Sequence, residues 1–213
     1  ELLREESGLI LVTGSTVCGK SPTLAWMFEH LNHQRAGHIV TLEDPVEFLH
    51  ESGSCLIHQR EVGLHTSSFS EALRAALRQD PDVILLGELR DSDTIRLALT
   101  AAETGHLVLA TLHTRGAAQA IERLIDVFPA QEKDPVRNQL ASSLCAVLSQ
   151  KLQPDKHGGR VALFEMLINT PAVGNLIREG KTHQLAGVMQ TGLQSGMQTF
   201  SQSYQQRVKA GML

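Results

Sequence analysis

Eight consecutive residues, Gly14-Ser15-Thr16-Val17-Cys18-Gly19-Lys20-Ser21, space two glycines and a Lys-Ser pair in the way that phosphate binding requires. A loop bounded by glycines can turn successive backbone N–H groups inward as a nest for an anion. A helix that starts at its end adds unpaired N–H groups and a positive dipole end. In this pattern Lys20 reaches the β- and γ-phosphates of a nucleotide, and the Ser21 hydroxyl ligates Mg²⁺. Gly14, Ser15, Thr16, Val17, Cys18, Gly19, Lys20, Ser21 and Pro22 are the expected cofactor-binding residues.

Chemistry beyond binding needs acids and bases at the same place. Glu43-Asp44, Glu88 and His113 each stand just after an apolar run. Moving a phosphoryl group to water takes a metal, a clamp on the developing charge and a group that orients the attacking water. Glu88 occupies the strand end where a metal-associated acid is expected, so the metal would be held by Ser21 and by waters bonded to Glu88. Gly87 stands where many such enzymes carry Asp. Glu43 is the second carboxylate, able to polarise water, and His113 is placed to contact the γ-phosphate. Zinc on His106 and His113 is a poor reading, since no cysteine or third ligand has suitable spacing.

The elements that must position these groups alternate. Leu9-Ile10-Leu11-Val12 leads into the glycine loop, and Leu24, Met27, Phe28 and Leu31 follow at helical spacing. His38–Glu43, Cys55–Arg60, Val83–Leu86 and His106–Thr111 read as strands. Pro45 ends regular pairing after the first of these. Between them Phe69, Ala72, Leu73, Ala76 and Leu77 form one helical stripe, with Ser68 and Glu71 as a capping box. Ile95, Ala98, Leu99 and Ala102 form another. Strands alternating with helices predict an α/β fold with a mainly parallel sheet flanked by helices, and ligands at the carboxyl ends of its strands. Beyond Gly116 two helical repeats are predicted, Ala117-Ile121-Leu124-Ile125 and Val136-Leu140-Leu144-Val147. A strand over Val161–Leu167 and three short amphipathic helices from Pro171 to Leu213 follow. The expected division is a core over 1–168 and a small helical satellite over 169–213.

Composition narrows the class. A chain of 213 residues, 42% hydrophobic and 20% charged, can bury one substantial core. A net charge of −4 speaks against a broad nucleic-acid surface. No apolar run approaches 18 residues, so no transmembrane segment is expected. Cys18, Cys55 and Cys145 are scattered, which suits reduced thiols in a cytoplasmic protein. The sequence opens on Glu1, which suits a fragment.

Three stretches resemble one family closely. Leu77-Arg78-Gln79-Asp80-Pro81-Asp82-Val83-Ile84-Leu85-Leu86-Gly87-Glu88-Leu89-Arg90-Asp91 resembles the signature of the secretion and type IV pilus ATPases. Thr41–Glu47 is similar to that family's aspartate box, and Thr104–Thr114 to its histidine box. The resemblance implies a RecA-like P-loop core, ATP with Mg²⁺, and a homohexameric ring at the cytoplasmic base of a membrane machine. Such a ring is peripheral to the inner membrane and works with a platform protein there, without nucleic acid. Lys20 and Ser21 match the phosphate loop, Glu88 the catalytic acid, and Glu43 and His113 their boxes. The family's N-terminal PAS-like domain is absent from this chain. No four-cysteine zinc element of the assembly branch is found. Ala172–Glu179 is similar to the Ala-Ile-Arg-Asn-Leu-Ile-Arg-Glu motif of the pilus-retraction branch, with Val173 and Gly174 substituted. The expected function is therefore that of an ATP-hydrolysing motor subunit for pilus disassembly or protein traffic.

The loop itself departs from the family's Gly-Pro-Thr-Gly-Ser-Gly-Lys-Ser-Thr. Pro22 offers neither the N–H nor the hydroxyl of the usual Thr, and Val17 takes a positive φ less readily than Gly. The loss expected in nucleotide binding is about 1–3 kcal/mol. A nucleotide-binding regulatory member with little turnover is the alternative. A pilus-assembly or type II secretion ATPase and a RecA-like nucleic-acid motor come after it. Arg60, Arg74 and Arg78 are expected near a nucleotide or a subunit boundary.

Overall fold

The computed structural model of the protein describes residues 2–213. Seven strands hydrogen-bond in the order β3-β2-β4-β5-β1-β6-β7. They are β1 (Gly8–Thr13), β2 (Gly37–Glu43), β3 (Cys55–Glu61), β4 (Val83–Leu86), β5 (Leu107–Leu112), β6 (Leu144–Pro154) and β7 (Arg160–Ile168). Every residue of β1, β4 and β5 is buried. Such burial is expected of strands covered on both faces, and it explains the apolar run of β4 and the mostly apolar β1 and β5, whose Thr13 and Thr111 are buried as well.

The chain divides into two compact units. The first holds the chain up to Ile10, Ser21–Thr111 and Ser142–Cys145. In it β2 lies between β3 and β4, parallel to both, and β4 pairs in parallel with β5. Helix α1 (Lys20–Gln34) buries Leu24, Met27, Phe28 and Leu31, as its spacing predicts. Helix α2 (Phe69–Ala76) buries Ala72, Leu73 and Ala76. Helix α3 (Ser92–Glu103) buries Ile95, Ala98, Leu99 and Ala102, and the Asp91 carboxylate caps its start by accepting from the Thr94 N–H at 2.8 Å.

The capping box expected at α2 is half formed. Ser68 accepts from the Glu71 N–H, but the Glu71 carboxylate bonds the Ser67 hydroxyl. A hydroxyl one residue upstream competes with the backbone donor of Ser68 and takes the carboxylate.

The second unit holds Leu11–Lys20, Leu112–Ala141 and Ala146–Leu213. Helix α4 (Ala117–Asp126) buries Ala117, Ile121, Leu124 and Ile125. Helix α5 (Ala130–Ser143) then ends, and residue 144 begins β6. The expected helical repeat therefore fails at Leu144 and Val147. Both are buried, but on a strand that pairs antiparallel with β7. A run as apolar as Leu144–Leu148 satisfies a buried strand as well as a helix face, and spacing alone does not separate them. Asp155 closes the β6–β7 turn by accepting from the His157 and Gly159 N–H groups at 2.7 Å each. These two bonds hold its carboxyl below the usual aspartate range. The C-terminal helices are α6 (Pro171–Arg178), α7 (Leu185–Thr191) and α8 (Phe200–Lys209), the last with a complete capping box from Thr199 and Gln202. Among the described residues no helix is long and apolar enough to cross a membrane.

Candidate active site

The glycine loop lies in the second unit, between the end of β1 and the start of α1. Gly14 and Gly19 adopt φ of +156° and +89°. Neither could carry a side chain. A Cβ on Gly14 would fall 2.4 Å from both the Cys18 Sγ and the Gln150 carbonyl oxygen, and one on Gly19 would fall 2.7 Å from Gln150 Nε2. Val17 takes φ +62° while 77% exposed. The branched side chain thus sits in a left-handed backbone conformation that Gly adopts freely and Val does not.

Lys20 is the first residue of α1 and only 9% exposed. Its ammonium donates to the Gly14 and Ser15 carbonyls at 2.8 and 2.9 Å and lies 3.3 Å from His113 Nδ1. The Cys18 thiol is 4.0 Å from the same nitrogen. His113 follows β5 directly, and its neighbourhood is fixed by Thr13. That hydroxyl donates to the Thr114 carbonyl at 2.9 Å and accepts from the Thr114 N–H at 3.1 Å. Lys20, Cys18, Gly14 and His113 are thus gathered at one place. Ser15, Thr16 and Val17 are exposed beside them, and Ser21 and Pro22 occupy the next two positions of the helix.

The sequence did not point to Gln150. It is 5% exposed on β6 and donates Nε2–H to the Cys18 carbonyl at 2.8 Å. The residues are 132 positions apart, and the helical spacing of Leu140, Leu144 and Val147 conceals the strand that carries Gln150.

The carboxylates lie in the first unit, at the carboxyl ends of parallel β2 and β4. Glu43 Oε1 accepts from the Thr41 hydroxyl at 2.6 Å and from Gln59 Nε2 at 3.1 Å. Glu88 Oε2 accepts from Arg90 Nε at 2.7 Å and Nη2 at 2.6 Å, and this pairing raises the Arg90 pKa. Asp44 lies close enough to add to that rise. At Gly87, the position before Glu88, a side chain would be tight against the end of β2. A Cβ there would lie 3.2 Å from the Leu42 carbonyl oxygen and 3.4 Å from Glu43 Cα. The Gly87 N–H donates to that same Leu42 carbonyl at 2.7 Å, so the two strand ends touch through backbone. Arg74 on α2 and Arg78 just beyond it are exposed, and Arg60 donates to Gln79 Oε1 at 2.8 Å.

The residues fit a nucleotide phosphate with Mg²⁺. The first turn of α1 carries no acidic residue, a buried cation precedes Ser21, and Gly14 and Gly19 adopt the positive φ that a tight glycine loop uses. Among the described residues no group of three or more His, Cys, Asp or Glu could hold a metal by itself. A metal at Ser21 would need ligands from phosphate and water, as the pattern of this loop supposes.

A buried strand, a glycine loop closed by its own lysine, and a helix starting at that lysine, on a mainly parallel sheet, define the P-loop class of α/β proteins. The chain belongs to the type II/IV secretion system protein family, whose model matches residues 1–157. It is 75% identical over 213 residues to the uncharacterized protein YggR of Escherichia coli (strain K12), covering 100% of this chain and 65% of that one. It is 57% identical over 206 residues to the type IV pilus retraction ATPase PilT of Pseudomonas aeruginosa (strain PAO1), covering 97% of this chain and 60% of that one. A crystal structure of the pilus retraction motor PilT with bound ADP superposes with a TM-score of 0.93 at 46% identity, over 100% of this chain and 60% of that one. The chain thus spans less than two thirds of the length of these relatives.

Proposed function

We propose that this chain is the nucleotide-hydrolysing part of an ATP-driven motor subunit, acting in pilus retraction or protein traffic as a homohexamer. The observation that carries the reading is the buried Lys20 ammonium, held on the loop carbonyls within reach of His113. A cation kept dry and aimed by a glycine loop has a large electrostatic effect on a phosphate, because little water screens it. The relatives named for ATPase activity and pilus retraction support the same conclusion.

In this reading Gly14, Ser15, Thr16, Val17, Cys18, Gly19, Lys20, Ser21 and Pro22 surround the phosphates of ATP. Lys20 holds the β- and γ-phosphates, and His113 contacts the γ-phosphate. Ser21 and waters bonded to Glu88 would hold Mg²⁺, which neutralises charge on the β- and γ-oxygens when bound. Glu43 orients the attacking water. The water oxygen bonds the γ-phosphorus, the bridging bond to ADP breaks, and the water proton passes to the Glu43 carboxylate. Removing such a base costs about 10²–10⁴-fold in rate. The protein would act in the cytoplasm, at the inner membrane, beside a platform protein of the machine it serves.

Steady-state ATP hydrolysis by the intact protein tests this, with Lys20→Ala and Glu88→Gln beside it. Loss of turnover in both variants is the expected result. Turnover no higher than theirs, in a folded and ring-forming protein, would instead favour a regulatory nucleotide-binding subunit. The left-handed Val17 and the Pro22 in the first turn of α1 favour that second reading.

A further inference from the structure

Gln59 uses its whole side chain. Its Nε2 donates to Glu43 Oε1 at 3.1 Å and to the Phe48 carbonyl at 2.9 Å, while its Oε1 accepts from the His50 N–H at 2.9 Å. An amide with two donors and an acceptor engaged at once has no freedom to turn. Gln59 sits on β3, directly opposite Thr41 of β2 in the parallel register. Thr41 is fully buried and donates its hydroxyl to the same Glu43 oxygen at 2.6 Å. Both donors fall on Oε1. Among the described residues Oε2 accepts no hydrogen bond.

The segment that Gln59 pins is anchored at its other side to α1. His50 stacks on Phe28 with ring centroids 3.9 Å apart, and its Nδ1 lies 2.9 Å from Glu29 Oε1. Gln59 therefore joins the carboxylate at the end of β2 to the 44–54 segment clasped to the helix that follows the glycine loop.

We propose that Gln59, with Thr41, is a positioning residue that fixes the Glu43 carboxylate through Oε1 and presents Oε2 to the attacking water. The proposal rests on the reading of Glu43 given above. A carboxylate free to rotate spends part of its time with neither oxygen aligned, whereas one held through a single oxygen keeps the other in place. Turnover then depends on Gln59 although Gln59 touches no reacting atom, and it depends on Gln59 only while Glu43 is a carboxylate.

The test is a double-mutant cycle on ATP hydrolysis by the intact protein, with kcat and KM measured for wild type, Gln59→Ala, Glu43→Gln and the pair. Gln59→Ala is expected to lower kcat about tenfold and to leave KM for ATP within about twofold, as loss of an interaction made in the transition state does. In the Glu43→Gln background the same change should lower kcat less than about twofold, because residues acting as one unit are not additive. Thr41→Val removes the second donor without touching the 44–54 segment. It should lower kcat in the same way, and Thr41→Ser should restore most of that loss. An equal loss from Gln59→Ala in both backgrounds would overturn the proposal and leave Gln59 a structural clasp. A Glu43→Gln enzyme as fast as wild type would overturn the reading of Glu43 itself, a separable failure.

Discussion

The Gln150 side-chain amide donates to the Cys18 carbonyl at 2.8 Å, so the glycine loop rests on strand β6. The backbone of Gln150 does the complementary work. Its carbonyl oxygen approaches Gly14 so closely that any Cβ there would collide with it. One strand residue thus sets both the height and the shape of the loop.

Replacing Gln150 with Leu keeps the volume and removes the donor. Loss of a buried hydrogen bond that leaves the Cys18 carbonyl unsatisfied costs about 1–3 kcal/mol. Because the loss falls on the loop, ADP affinity measured by titration calorimetry should drop at least several-fold, while circular dichroism stays that of the folded protein. An unchanged affinity would show that the loop holds its shape without β6.

Val17→Gly and Pro22→Thr should improve the loop. A branched residue at φ +62° carries strain of about 1–3 kcal/mol, against which the added chain entropy of Gly counts about 0.5–1 kcal/mol. The single change at Val17 should raise thermal stability slightly. The two together should tighten ATP binding several-fold, as read by competition with a fluorescent nucleotide.

Gly87→Ala should damage turnover more than folding. The new Cβ would meet the Leu42 carbonyl at 3.2 Å and Glu43 Cα at 3.4 Å, so the end of β2 must shift by a few tenths of an ångström. Misplacement of a catalytic group by about 1 Å can cost about 10²-fold. For this smaller shift a fall in kcat of about tenfold is expected, with a melting temperature lowered by only a few degrees.

Glu165 makes a contribution of definite sign to the pH dependence of stability. Its carboxyl lies on β7, accepts from the Ala117 N–H at 2.8 Å at the start of α4, and is pushed above the usual glutamate range by burial. The folded protein therefore keeps this proton to a higher pH than the unfolded chain. Stability is full below the unfolded value and falls as pH rises through the folded one. Glu165→Gln keeps an acceptor for Ala117 and removes the ionisation. Urea unfolding at pH 4 and pH 7 should show that the variant's stability relative to wild type rises from the lower pH to the higher one.

What could be read from the sequence was what lies close together in it. The glycine loop, Lys20 and Ser21 are contiguous; β4 announces itself by an unbroken apolar run, and β2 and β5 by apolar runs that a single Thr interrupts. The helix that Asp91 caps is legible from the spacing of Ile95, Ala98, Leu99 and Ala102. The roles of Gln59 and Gln150 were not legible, because glutamine has no pattern of its own and each acts on a residue brought to it by strand pairing or by the fold. The α5–β6 junction was misplaced because Leu144 and Val147 continue a helical period by coincidence, and only the pairing with β7 decides between the two forms. The tight approach of Gly87 to the end of β2 is likewise invisible in the sequence, because the two strands are brought together only by the sheet.

The Lys20 ammonium already has its partners in the carbonyls of Gly14 and Ser15. A phosphate that arrives there does not meet a bare charge; it competes with two carbonyl oxygens for a cation that is content where it is. Affinity then measures a difference between two acceptors, and that difference shrinks whenever the incoming group loses negative charge. In the role proposed for Lys20, the Gly14 and Ser15 carbonyls would be both the competitors of an arriving phosphate and the partners to which the ammonium returns as that charge departs.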